Sequence, residues 1–151
     1  MSSRVEEWVS RSGLPWKLHR LSSRVRSVRE ASQAMGVPPG RIVKTIVLVD
    51  GDRTIACIIP GDKMLDLEKL KSIIGGSPRL ATRREVEERT GYPVGGVPPA
   101  PLPDNVLVVL DHRLLGEDSL YGGGGDEYSL LEFRPGDLVR VRRVVIGDVS
   151  S

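Results

Sequence analysis

The chain has 151 residues, with 22 Lys and Arg against 20 Asp and Glu, a formal net charge of +2, 39% hydrophobic and 28% charged residues. That length suits one domain able to bury a core without staples, and no apolar run approaches the roughly 18 to 20 residues that span a bilayer. Cys57 is the only cysteine and His19 and His112 the only histidines, which excludes an internal disulfide or cysteine zinc cluster and makes a metal or other cofactor unexpected.

In chain order, an N-terminal helix carries Val5, Trp8 and Val9, followed by a short strand over Lys17–Leu21. Ser27 with Glu30 fits the S/T-x-x-E capping box, in which each partner satisfies an orphan backbone donor, so a helix starts near 28 and should stop at Gly36. Ile42–Val49 and Thr54–Ile59 are rich in β-branched residues, and Asp50-Gly51 between them predicts an antiparallel hairpin. A helix from Asp66 through Leu67, Leu70 and Ile73 ends at Gly75 and Gly76, and a short strand follows over Arg79–Ala81. Thr82 and Glu85 predict the next helix, closed by Gly91. The proline-rich stretch Pro93–Pro103 reads as a functional loop, and further strands are expected at Val106–Leu110, Ser119–Tyr121 and Ser129–Phe133. This order predicts an α/β (α+β) fold: a single domain over 1–151, with a mixed, mainly antiparallel sheet flanked by helices.

Charge is unevenly placed. In the first thirty residues Arg4, Arg11, Lys17, Arg20, Arg24, Arg26 and Arg29 face only Glu6, Glu7 and Glu30, and Arg134, Arg140, Arg142 and Arg143 repeat the bias later. If the two ends meet they form a phosphate-attracting face; the bland alternative is an ordinary solvated surface. Asn105 and Gln33 are the only side-chain amides, and Arg outnumbers Lys, a composition expected of a protein from a hot environment. No apolar leader follows Met1, so the cytoplasm is the expected location.

Three features could carry chemistry. Lys44 shares the apolar row of Ile42, Ile46 and Leu48, while Thr45 lies with Val43 and Val47. An unpaired buried ammonium is costly, so Lys44 either snorkels to the surface or faces a cleft that uses its charge. Thr90-Gly91-Tyr92-Pro93-Val94-Gly95-Gly96-Val97-Pro98-Pro99 interleaves glycine and proline, which builds a loop of defined shape. Gly122–Gly125 could bring bare backbone groups against a ligand or form a loose hairpin tip; it matches neither the phosphate loop nor the dinucleotide fingerprint. Cys57 reads as core, Asp111 as a helix cap or site residue, and His112 has no triad context.

Taken in this order, Ile42-Val43-Lys44-Thr45, the Thr90–Pro99 loop, Asp111 after a strand and the run Gly122–Gly125 resemble the YbaK/ProX family of aminoacyl-tRNA deacylases, the prolyl-tRNA synthetase-associated editing domain. The resemblance spans nearly the whole chain. It implies a trans-acting hydrolase of the ester in mischarged tRNA, without a metal or covalent protein nucleophile. It assigns Lys44 as the catalytic residue and Thr45, Gly91, Tyr92, Gly95, Gly96, Asp111, Gly123, Gly124 and Gly125 to substrate binding. The family's amino-acid selectivity lies in segments that here read Leu21–Val28 and Asp126–Leu131, and cysteine and alanine on proline-specific tRNA are its usual targets. The implied partners are the aminoacylated 3′ end of tRNA and a prolyl-tRNA synthetase complex, with no membrane and either a monomer or a homodimer. Two other readings stay open: a catalytically silent tRNA-binding module, and a nucleotide-phosphate binder using the glycine run.

Overall fold

Local capping starts and stops most of the helices in the computed structural model, which describes residues 3–151. Helix α1 (Arg4–Ser12) begins where the Ser3 side chain accepts from the Glu6 N–H and ends at Gly13, φ 73°. Helix α2 (Val28–Met35) is capped by Ser27, which accepts from Glu30 N–H, and closes at left-handed Gly36. The Glu30 carboxylate reaches back to Arg26 N–H rather than to Ser27, so this box is shifted by one residue. Helix α3 (Leu67–Ile74) is capped by Asp66, and α4 (Arg83–Thr90) has the full reciprocal box of Thr82 and Glu85 before left-handed Gly91. Helix α5 (Pro135–Val141) was not expected from the sequence; it opens on Pro135 with no side-chain cap.

The strands are β1 (Lys17–Arg20), β2 (Val43–Asp50), β3 (Arg53–Pro60), β4 (Arg79–Leu80), β5 (Val106–Asp111), β6 (Leu120–Gly123), β7 (Ser129–Phe133) and β8 (Val144–Gly147). They form two sheets where one had been expected. One has the order β4-β2-β3-β5-β8 and the other β1-β7-β6, joined by a bridge between Ile42 and Tyr121. The predicted β2–β3 hairpin is present, with Lys44 opposite Ile59 and Thr45 opposite Ile58. Strand β5 runs parallel to β3 and β8 parallel to β5; the remaining pairs are antiparallel.

Apolar clusters cover both faces of the larger sheet. Ala56, Ile58, Val108 and Leu110 pack with Trp16, Leu131 and Phe133 on one side, and Ile55, Cys57, Ile59 and Val109 with Leu70 of α3 on the other. A central strand buried on both faces needs a continuous apolar run, which β3 supplies. Burying one such Leu or Ile contributes about 1.5 to 3 kcal/mol.

One feature of this topology positions the site. Strand β4 meets β2 only at Leu48 and Val49. Between that contact and the Ile42–Tyr121 bridge the outer edge of β2 has no ladder pairing among the described residues, although β6 packs nearby.

Candidate functional site

A cavity of about 240 Å³ opens against this edge. Its floor is the consecutive run Ile42, Val43, Lys44 and Thr45. Successive side chains of a strand point to opposite faces, so a cavity touching all of them meets the strand edge-on. Val25, Arg26, Ser27, Val28 and Ala31 form a second wall, Gly95 and Val97 a third, and Gly122, Gly123 and Leu130 the fourth.

Each wall is held by identifiable contacts. The segment before α2 is laced to the loop after β6 by Leu21 N–H donating to Tyr128 O, Val25 N–H to Glu127 O, and an Arg24–Glu127 ion pair. The two glycine-rich segments touch each other directly, with Gly125 N–H donating to Gly96 O at 2.8 Å. A Cβ on Gly123 would collide with the Val97 carbonyl, and one on Gly122 would lie 2.9 Å from Val43 Cγ2. The run is therefore glycine because the backbones of two loops and the Val43 side chain of β2 meet there, and not because a hairpin tip is loose.

Lys44 is half-buried at the cavity, and its side chain has no hydrogen bond or ion pair among the described residues. Thr45 Oγ1 is a buried polar atom, also without a protein partner among the described residues. No Asp or Glu lines the cavity, whose two charged residues are the cations Arg26 and Lys44. The site thus combines positive charge with bare main chain, an arrangement suited to an ester carbonyl on which negative charge develops.

The other predicted site residues divide. Gly95 and Gly123 line the cavity, while Gly96, Gly124 and Gly125 stand just behind them as loop supports. Gly91 is the left-handed cap of α4, with Arg4 Nη1 2.6 Å from where its Cβ would be. Tyr92 is buried, donates its hydroxyl to Pro101 O at 2.8 Å and lies under the Arg4 guanidinium. Asp111 is fully buried away from the cavity and accepts from Arg113 N–H, Arg113 Nη1, Val149 N–H and Ser150 Oγ. Burial pushes its carboxyl up, but these hydrogen bonds outweigh it and hold the pKa below the ordinary carboxylate value. Gly91, Tyr92 and Asp111 therefore act on the fold around the site and do not touch the cavity.

Sequence reasoning had not singled out Ile42, Ala31 or Val97 as lining residues; isolated apolar positions carry no signal that separates a pocket wall from core. The expected basic face is engaged in part. Pairing of β1 with β7 does bring the two ends together, but Arg20, Arg24 and Arg140 sit in ion pairs, and Arg142 donates to Leu102 O and Val106 O. Cys57 is fully buried and its thiol is pushed up to about 12, first by burial and then by Asp111, so it offers no nucleophile. Among the described residues no group of three His, Cys, Asp or Glu could hold a metal ion, and no helix is long and apolar enough to cross a membrane.

Comparison with known proteins agrees with this geometry. A proline–tRNA ligase of Thermotoga neapolitana is 36% identical over 132 residues, covering 82% of this chain and 22% of that protein. This chain spans about a fifth of the length of such ligases. The uncharacterized protein YwhH of Bacillus subtilis is 31% identical over 113 residues, 74% of this chain and 72% of that protein. The crystal structure of hypothetical protein APE2540 superposes with a TM-score of 0.93 at 45% identity, covering 99% of this chain and 100% of that one. A crystal structure described as a candidate trans-editing enzyme for prolyl tRNA synthetase superposes with a TM-score of 0.89 at 30% identity, covering 100% of this chain and 99% of that one. The family of aminoacyl-tRNA editing domains matches residues 22–141, and the chain belongs to that family, in its YbaK-like form.

Proposed function

We propose that the protein is a trans-acting aminoacyl-tRNA deacylase that removes a wrongly attached amino acid, cysteine or alanine, from proline-specific tRNA. The observation that carries this reading is Lys44, an ammonium without a partner among the described residues, on the floor of a cavity walled by two glycine-rich loops. Its kinship with part of the prolyl ligases supports the choice of tRNA, and the full-length match to the candidate trans-editing enzyme supports action as a separate chain.

In this mechanism the cavity takes the aminoacyl group at the 3′ end of the tRNA. Water adds to the ester carbonyl, the acyl–oxygen bond breaks, and the free amino acid and the ribose hydroxyl leave. Lys44 stands beside the developing oxyanion, and main-chain groups of Gly95 and Gly123 hold substrate and water, with Gly96, Gly124 and Gly125 supporting them from behind. One preorganised donor of this kind is worth about 2.7 to 4 kcal/mol. A protein nucleophile is not required, which fits the burial of Cys57. The apolar side chains of Val25, Val28, Ala31 and Leu130 bound the amino-acid side chain, and excess bulk is what they reject. Wall contacts of that sort discriminate by about 1 to 3 kcal/mol per methylene.

Hydrolysis of a panel of mischarged tRNAs, led by cysteinyl and alanyl esters on proline-specific tRNA, tests the reading. Turnover of either ester supports it. Absence of hydrolysis across the panel, with tRNA still bound, identifies a silent binding module instead.

A further inference from the structure

The open edge of β2 presents a main-chain pattern that a substrate can complete. Both the N–H and the C=O of a strand residue point to the same side, and the side alternates from residue to residue. Ala81 N–H donates to Val47 O on the β4 side, whereas Gly61 N–H donates to Ile42 O on the β3 side. Odd-numbered residues of β2 therefore direct their polar groups outward; of the two that fall past the end of β4 and in the cavity floor, Val43 lies beside the Ile42–Tyr121 bridge and Thr45 lies between that bridge and β4. Among the described residues Thr45 has no ladder partner on that side, and its Oγ1 is without a protein partner as well.

An α-aminoacyl ester carries the complementary pair on one residue: an amino group that donates and a carbonyl oxygen that accepts. We propose that the aminoacyl group docks as a one-residue extension of the sheet, its amino group donating to Thr45 O and its ester carbonyl accepting from Thr45 N–H. This rests on the deacylase reading and adds how the α-amino group common to its substrates is held, whatever their side chain. The lining contains no carboxylate to receive the amino group, and the cations Arg26 and Lys44 do not accept hydrogen bonds, so the acceptors available are main-chain carbonyls and the Ser27 and Thr45 hydroxyls. The same pairing holds the ester carbonyl at the floor beside Lys44, and the Thr45 N–H then donates to the oxygen on which charge develops. The substrate's side chain emerges toward the walls without taking part in the pairing.

The test uses two stable mimics, 3′-alanylamido-3′-deoxyadenosine and its propanoyl counterpart, which lacks only the amino group, with amide hydrogen exchange of Thr45 read by NMR. In the free protein the Lys44 and Ile46 amides are protected by β3 and that of Thr45 exchanges fast. The alanyl mimic slows Thr45 exchange by about tenfold or more, and the propanoyl mimic binds roughly three- to tenfold more weakly, the loss of one net hydrogen bond. Equal binding of the two mimics with unchanged Thr45 exchange overturns the pairing. Hydrolysis of mischarged tRNA, measured on the same protein, separates the two ideas. Hydrolysis without Thr45 protection removes the pairing and leaves the deacylase; protection without hydrolysis removes the deacylase and leaves the pairing.

Discussion

The N–H of Gly125 donates to the carbonyl of Gly96 at 2.8 Å, joining the two glycine-rich segments into one wall of the cavity. Gly125 adopts φ 105°, a conformation open to glycine, and the neighbouring Gly123 backbone lies against the Val97 carbonyl. The loops thus define the shape of the site through main-chain contact.

Gly123→Ala forces a methyl group into the Val97 carbonyl and must separate the loops. The expected result is a loss of about 1 to 3 kcal/mol of stability, as for other overpacked sites, together with loss of deacylation. Gly116→Ala is the control, because its added methyl meets nothing within 4 Å. Thermal melts and ester hydrolysis on both variants check the pair; equal activity in the two would contradict the described loop contact.

Asp111 organises the C-terminal segment and not the chemistry. Its carboxylate gathers Arg113, Val149 N–H and Ser150 Oγ, while Arg113 and Lys69 also pair with Asp148. Asp111→Ala strands these donors in a buried place and should lower stability by roughly 3 kcal/mol. Deacylation per folded molecule, measured well below the melting midpoint, should stay within about twofold of wild type by the same separation of site from support. A selective collapse of kcat with an unchanged melt would place Asp111 in the reaction instead.

Acid sensitivity follows from the same carboxylate. Its folded-state pKa lies below the ordinary value, so its stabilising contribution is complete above the unfolded carboxylate range and is lost as pH falls through the lowered folded value. Glu85, held at about 2 first by Arg79 and then by the Thr82 N–H, has the same sign but pairs at the surface with the exposed Arg79 and contributes less. Denaturant titrations between about pH 7 and pH 3 should show stability falling toward the acid end, with a shallower fall in Asp111→Ala.

Scarce amides, abundant charge and the ion pairs Arg79–Glu85 and Arg84–Glu88 on α4 lead to a melting midpoint above about 65 °C, the upper end for mesophile domains. Calorimetry giving a midpoint inside that mesophile range would remove this inference.

Legibility in the sequence followed the range of the interactions. Ser27, Asp66 and Thr82 act on donors within three residues, so helix starts could be read locally, as could the Asp50-Gly51 hairpin. The division into two sheets depends on β1 pairing with β7 across the chain, which no local pattern encodes. Helix α5 lacks a side-chain cap and β8 is short and only half-buried, so neither announced itself. At the site, Lys44 was legible because a charge interrupts an apolar row. Gly91 and Tyr92 were not separable from Gly95, since the composition of a loop does not reveal which glycine closes a helix and which faces a ligand.

Lys44 is proposed to act at the ester, and its ammonium makes no hydrogen bond or ion pair among the described residues. Lys44→Ala, assayed for hydrolysis of the ester the wild type removes fastest, tests it most directly. The predicted result is a fall in kcat/KM of about 100- to 1000-fold, the worth of one preorganised electrostatic group, with a melting midpoint close to wild type because no ion pair is lost. Unchanged turnover in a folded Lys44→Ala protein would contradict the account.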